Sequence, residues 1–125
     1  MNANNITALG LLCLSACTVE HGKVPVIDEL SLPESVTLDA DGTYHVNGTI
    51  SFHDDDDTVS RVRVKIASIG AAGDYPATGG KTATKAPLAL KIVGTAPKGA
   101  LQLTVWILDV EGNISDPKNP TVTLK

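Results

Sequence analysis

Cysteine is nearly missing from this chain: Cys13 and Cys17 are the only two in 125 residues. Beyond residue 17 there can therefore be no disulfide and no thiolate metal site. Aromatic side chains are as scarce, at 3%, with Tyr44, Phe52, Tyr75 and Trp106 making up the whole set. Positive charge is also short. Ten Lys and Arg stand against fourteen Asp and Glu, for a net charge of -4. Phosphate-backbone binding needs the opposite balance, so no nucleic-acid partner is expected. Helical periodicity is absent after residue 17, which excludes a helix bundle. No Ser/His/Asp elbow and no facing carboxylate pair can be found, and Gly79-Gly80-Lys81-Thr82 lacks the earlier glycine of a phosphate-cradling loop. No enzymatic activity is expected. One compact domain is what this length allows.

What is present falls into two parts. Residues 6–14 form an apolar run too short to span a bilayer but of the length of a secretory signal's hydrophobic core. It closes on Leu14-Ser15-Ala16-Cys17, which resembles the lipobox of bacterial lipoproteins. The resemblance implies that residues 1–16 are a signal peptide cut before Cys17, whose sulfur and new amino group are then acylated. Two or more acyl chains hold a protein at a membrane far more durably than one. Cys17 would then be the lipidation site. Thr18 in place of the retention Asp of enterobacterial lipoproteins implies sorting to the outer membrane. The competing reading is a buried apolar N-terminal strand with two incidental cysteines. Residues 17–29, with Gly22, Pro25 and several charges, read as a short tether.

From residue 30 onward apolar residues alternate with polar ones. Leu30, Leu32, Val36 and Leu38 share one parity, and Pro33 marks an edge strand with a break. Tyr44, Val46, Ile50 and Phe52 follow, then Val62, Val64 and Ile66, then Leu88, Leu90 and Ile92, then Leu101, Leu103, Val105 and Ile107, then Val122 and Leu124. Period two is the mark of strands with one buried face. Polar turns separate them, so an antiparallel sandwich of six strands is expected. Residues 69–87 are either a long loop or a seventh, weak edge strand.

Over residues 30–125 the chain resembles the immunoglobulin-like domains of bacterial surface and periplasmic proteins. The matching features are Tyr44-His45-Val46-Asn47-Gly48-Thr49-Ile50-Ser51-Phe52 and a late strand running into Asp109-Val110-Glu111-Gly112-Asn113-Ile114-Ser115. The resemblance implies an all-β immunoglobulin-like β-sandwich. The inter-sheet disulfide and third-strand Trp of antibody domains are missing.

Two candidate sites follow. His53-Asp54-Asp55-Asp56-Asp57 puts four carboxylates in one turn. In a sandwich of this kind that turn shares a pole with the loop carrying Asp109, Glu111, Asn113 and Asp116. Together they could offer the six to eight hard oxygens that Ca²⁺ takes. Asp55, Asp57, Asp109, Glu111, Asn113 and Asp116 are the candidate ligands; a solvated acidic turn is the alternative. No cofactor is required for the fold. His45 and His53 face outward, ~26 Å apart along a straight strand, too far to share a metal.

The second site is a sheet face. Antiparallel pairing of the third and fifth strands sets Arg63 across from Trp106 and Arg61 across from Leu108, turning the one Trp outward. Trp106, Leu108, Arg61, Arg63 and Lys65 would make an amphipathic patch for a partner, unless the tether or residues 69–87 cover it. The expected function is a membrane-anchored envelope module, adhesive or accessory, engaging another envelope protein or a glycan. A carbohydrate-binding or enzyme-accessory domain is the second reading, resting on Tyr44, Tyr75 and Trp106.

Overall fold

Nine strand segments fill the described part of this protein, residues 22–125 of a computed structural model. The expected signal segment 1–16, Cys13, the lipidation candidate Cys17, His21 and the first part of the expected tether lie outside the described residues.

The strands are β1 (Val26–Ser31), β2 (Ser35–Val36), β3 (Thr43–His53), β4 (Val59–Ile66), β5 (Ala71–Pro76), β6 (Thr82–Val93), β7 (Gly99–Gln102), β8 (Thr104–Asp109) and β9 (Thr121–Leu124). One layer has the order β1-β3-β6; the ladders β5-β4-β8 and β2-β9-β7 make the other. Leu103 alone separates β7 from β8. Backbone hydrogen bonds from Leu103 to Pro120 (2.9 Å) and between Val105 and Lys118 (2.8 and 2.9 Å) carry the β9 pairing along β8. The two ladders are thus one continuous layer. All pairings are antiparallel except the short β2–β9 contact. The protein is an all-β immunoglobulin-like sandwich.

Alternation decides the core. Tyr44, Val46, Ile50 and Phe52 of β3 and Leu88, Leu90 and Ile92 of β6 meet Val62, Val64 and Ile66 of β4 and Val105 and Ile107 of β8. Each contributes roughly 1.5–3 kcal/mol on burial, offsetting the entropy of ordering the chain.

The tether expected over residues 17–29 gives way earlier to the sandwich: β1 begins at Val26 and Ile27 lies in the core. A bulge between Ile27 and Glu29 spaces the inward residues Ile27 and Leu30 three apart, hiding the period of two. Of the two readings of residues 69–87, the edge strand holds: β5 pairs with β4 from Ala71 to Pro76.

The turn into β3 is tied by Asp41, whose carboxylate accepts hydrogen bonds from the Thr43 hydroxyl (2.7 Å), the Thr43 amide (3.0 Å) and the His45 ring (2.8 Å). The Thr43 hydroxyl leads these in holding the Asp41 pKa down to about 2, with His45 next. A depressed carboxylate contributes stability that is complete above the ordinary value of 3.8 and is lost as pH falls through about 2. Carbon-detected NMR titration is expected to place the Asp41 midpoint near 2, and Thr43→Val to move it back towards 3.8. A wild-type midpoint at 3.8 would contradict this turn geometry.

Candidate functional site

Period two does not stop at the end of β3. One further step past the inward residues Ile50 and Phe52 is Asp54, and one step past Val105 and Ile107 on β8 is Asp109. Both sit on the core's rim and both are buried, at 3% exposure each. Three backbone hydrogen bonds seat the Asp54 loop: Asp54 N–H to Lys81 (2.7 Å), Val59 N–H to Gly80 (3.0 Å) and Val110 N–H to Thr58 (2.9 Å).

At this pole Asp54, Asp57 and Asp109 each present a carboxylate oxygen, all within 4.8 Å of one another. Asp54 Oδ1 accepts the N–H groups of Asp56 (2.9 Å) and Asp57 (3.0 Å). Asp54 Oδ2 is buried and receives no hydrogen bond. Asp109 Oδ1 accepts the N–H groups of Glu111 and Asn113, both at 2.9 Å, and Oδ2 accepts the Asn113 side-chain amide at 3.0 Å. Burial pushes the Asp109 carboxyl up, but the side-chain and backbone donors of Asn113, with the Glu111 N–H, outweigh it, leaving the pKa below the ordinary value. Asp57 moves the other way, raised first by burial and then by the charges of Glu111, Asp109, Asp54 and Asp56.

The ligand set expected from sequence is thus regrouped. Asp57 and Asp109 come together as expected. Asp55 does not join them: it is exposed and pairs with the Lys23 ammonium at 3.2 Å, while Asp56 accepts the Lys23 N–H at 2.7 Å. Glu111 and Asn113 brace Asp109 through their amides. Asp116 lies outside the group and lines a cleft with Val24, Pro25 and Lys118. Asp54 was missed. Alternation along the acidic run pairs Asp55 with Asp57, but the chain turns at Asp54, so residues three apart, Asp54 and Asp57, converge instead.

On the outer face of the β4–β8 ladder the expected register holds, with Arg63 opposite Trp106 and Arg61 opposite Leu108. Lys65 stands opposite Thr104. Leu108 corrects the exposed-patch expectation, being only 4% exposed. The irregular chain beyond β8 doubles back there, bridging Ile114 to Leu108, and the Ser115 hydroxyl accepts the Ile107 N–H at 2.9 Å. Trp106 is half-buried. Asp74 of β5 holds both arginines, Arg63 Nε at 2.9 Å and Arg61 at 3.4 Å. Hydrogen bonding to Arg63 lowers the Asp74 pKa and raises that of Arg63. Residues 69–87 thus reach this face as β5, whose Asp74 pairs with the arginines, and the turn after β8 buries Leu108; among the described residues the tether pairs with the acidic turn instead.

The histidines bind neighbours instead of each other. His45 contacts Asp41, and His53 Nδ1 meets Asp28 of β1 at 2.8 Å, a hydrogen bond that raises the His53 pKa.

No protein-family model matches the sequence, and no curated protein does. Solved structures do match the fold. The PKD domain of an M14-like peptidase from Thermoplasmatales archaeon SCGC AB-540-F20 superposes with a TM-score of 0.59 at 13% identity, covering 82% of this chain and 97% of that one. The PKD1 domain of Vibrio anguillarum Epp gives 0.52 at 12% identity, covering 83% and 96%. The shared property is the fold: PKD-type, immunoglobulin-like sandwiches.

Proposed function

We propose that this protein is a lipid-anchored binding module of the bacterial envelope, held by Cys17 and presenting the sandwich to another envelope macromolecule. The observation that carries the reading is the apolar run closing on Leu14-Ser15-Ala16-Cys17, followed closely by a β domain. The chain joins that domain at the acidic pole, where Lys23 is fixed to Asp55 and Asp56. At most ~3.6 Å per residue separates Cys17 from Lys23. The anchor therefore keeps the acidic pole near the membrane, and the opposite pole points away from it. Sorting to the outer membrane belongs to the same reading. No catalytic role is proposed.

A glycan-binding alternative is less well supported. Tyr44 is fully buried and Tyr75 packs against the core, which leaves Trp106 as the one ring facing outward.

Intact-mass measurement on the membrane fraction tests the anchor. The expected species begins at Cys17 and carries acyl chains, and Cys17→Ser should remain unprocessed and carry no acyl mass. Wild-type protein recovered whole from the cytosol would overturn the proposal.

A further inference from the structure

Asp54 Oδ2 poses a problem of chemistry. It is a buried carboxylate oxygen with no donor, and it belongs to a group of three converging acids. Leaving a buried charged acceptor unmet costs more than leaving a neutral one. Three carboxylates at this separation also repel through a partly dehydrated space. We propose that this pole is a divalent-cation site taking Ca²⁺, with Asp54 Oδ2, Asp57 and Asp109 as its protein ligands.

The accounting of lone pairs favours those atoms. Asp54 Oδ1 is filled by two N–H groups, so its free pairs are both on Oδ2. Asp109 Oδ1 is likewise filled, while Oδ2 takes one donor and keeps one pair. The N–H and amide donors hold both carboxylates in place, so little ordering remains when the ion arrives. An all-oxygen, anionic donor set selects a hard cation. Oxygens up to 4.8 Å apart fit the span across an ion bound at about 2.3–2.6 Å, whereas Mg²⁺ demands about 2.0–2.1 Å and near-octahedral placement. Water completes the coordination.

This inference is independent of the anchor, because it concerns the sandwich alone. A competing solution for the orphan oxygen is a proton shared between Asp54 and Asp109. Thermal melts of the full chain near pH 7 separate the two, comparing about 10 mM CaCl₂, equal MgCl₂, and EDTA in NaCl of matched ionic strength. Ca²⁺ is expected to raise Tm by about 5 °C or more over EDTA, and Mg²⁺ by clearly less. Asp54→Asn keeps an oxygen for the Asp56 and Asp57 N–H groups and removes the charge. It should melt no lower than wild type in EDTA and lose most of the Ca²⁺ shift. Asp55→Asn, which alters an exposed acid paired with Lys23, should keep that shift. Isothermal titration of wild type with Ca²⁺ gives a readout that no variant's folding can confuse. Coincident wild-type melts overturn the proposal, as does an Asp54→Asn shift equal to wild type. So does an Asp55→Asn loss as large as that of Asp54→Asn, which would mark a diffuse acidic effect. Stability that rises towards about pH 5 with no Ca²⁺ response would assign the oxygen to a shared proton. None of these failures bears on the acylation mass.

Discussion

Gly48→Ala is expected to destabilise the domain by about 1–3 kcal/mol, read as a lower urea midpoint at unchanged slope. The reason is space, since Gly48 needs no unusual backbone conformation. A methyl group there would land on the Ser31 carbonyl oxygen and on the Leu32 side chain. Leu32 could swing aside, but the carbonyl belongs to the segment where the chain leaves β1 in one layer and heads for β2 in the other. Moving it disturbs the Ser31–Thr49 end of the β1–β3 ladder. A Gly48→Ala protein as stable as wild type would mean that the crossing does not pass over Gly48.

Phe52→Ala should cost more, about 3–5 kcal/mol. Phe52 is fully buried and lies between Ile27 of β1 and Ala83 of β6, neither of which can fill the space left behind. Domains of this size hold only about 5–15 kcal/mol in reserve, and residues 22–125 contain no cysteine to cross-link them. Calorimetry or a chemical melt measures the loss. Phe52→Leu should recover a large part of it, whereas a loss under about 1 kcal/mol for Phe52→Ala would place the ring outside the core.

Much of this architecture could be read from period two. The inward sets of β3, β4, β6 and β8 came straight from alternation, and so did the Arg63–Trp106 and Arg61–Leu108 register. What escaped was backbone without a period. The bulge in β1 broke the alternation of Ile27 and Leu30, so a strand passed for a tether. Strand β5 opens on three small residues, Ala71-Ala72-Gly73, and so gives little hydrophobic contrast. The fold-back that buries Leu108 is held by single bridges and one serine hydroxyl, which no pattern of apolar residues announces. Asp54 was within reach. The alternation of β3, carried one step beyond Phe52, aims that carboxylate inward and leaves Asp55 in solvent beside Lys23.

The placement of Lys23 and Lys125 has a mechanical consequence. Lys23 sits at the Asp55 end of the sandwich, whereas Lys125 lies at the far end beside Lys98, whose ammonium reaches its carbonyl at 3.0 Å. Tension applied between these two points would run lengthwise through the domain, along β1 and β9. Antiparallel ladder bonds stand across the strand direction. Such a load would therefore strain the rungs of the β1–β3 and β7–β9 ladders together in shear, not unzip them one at a time.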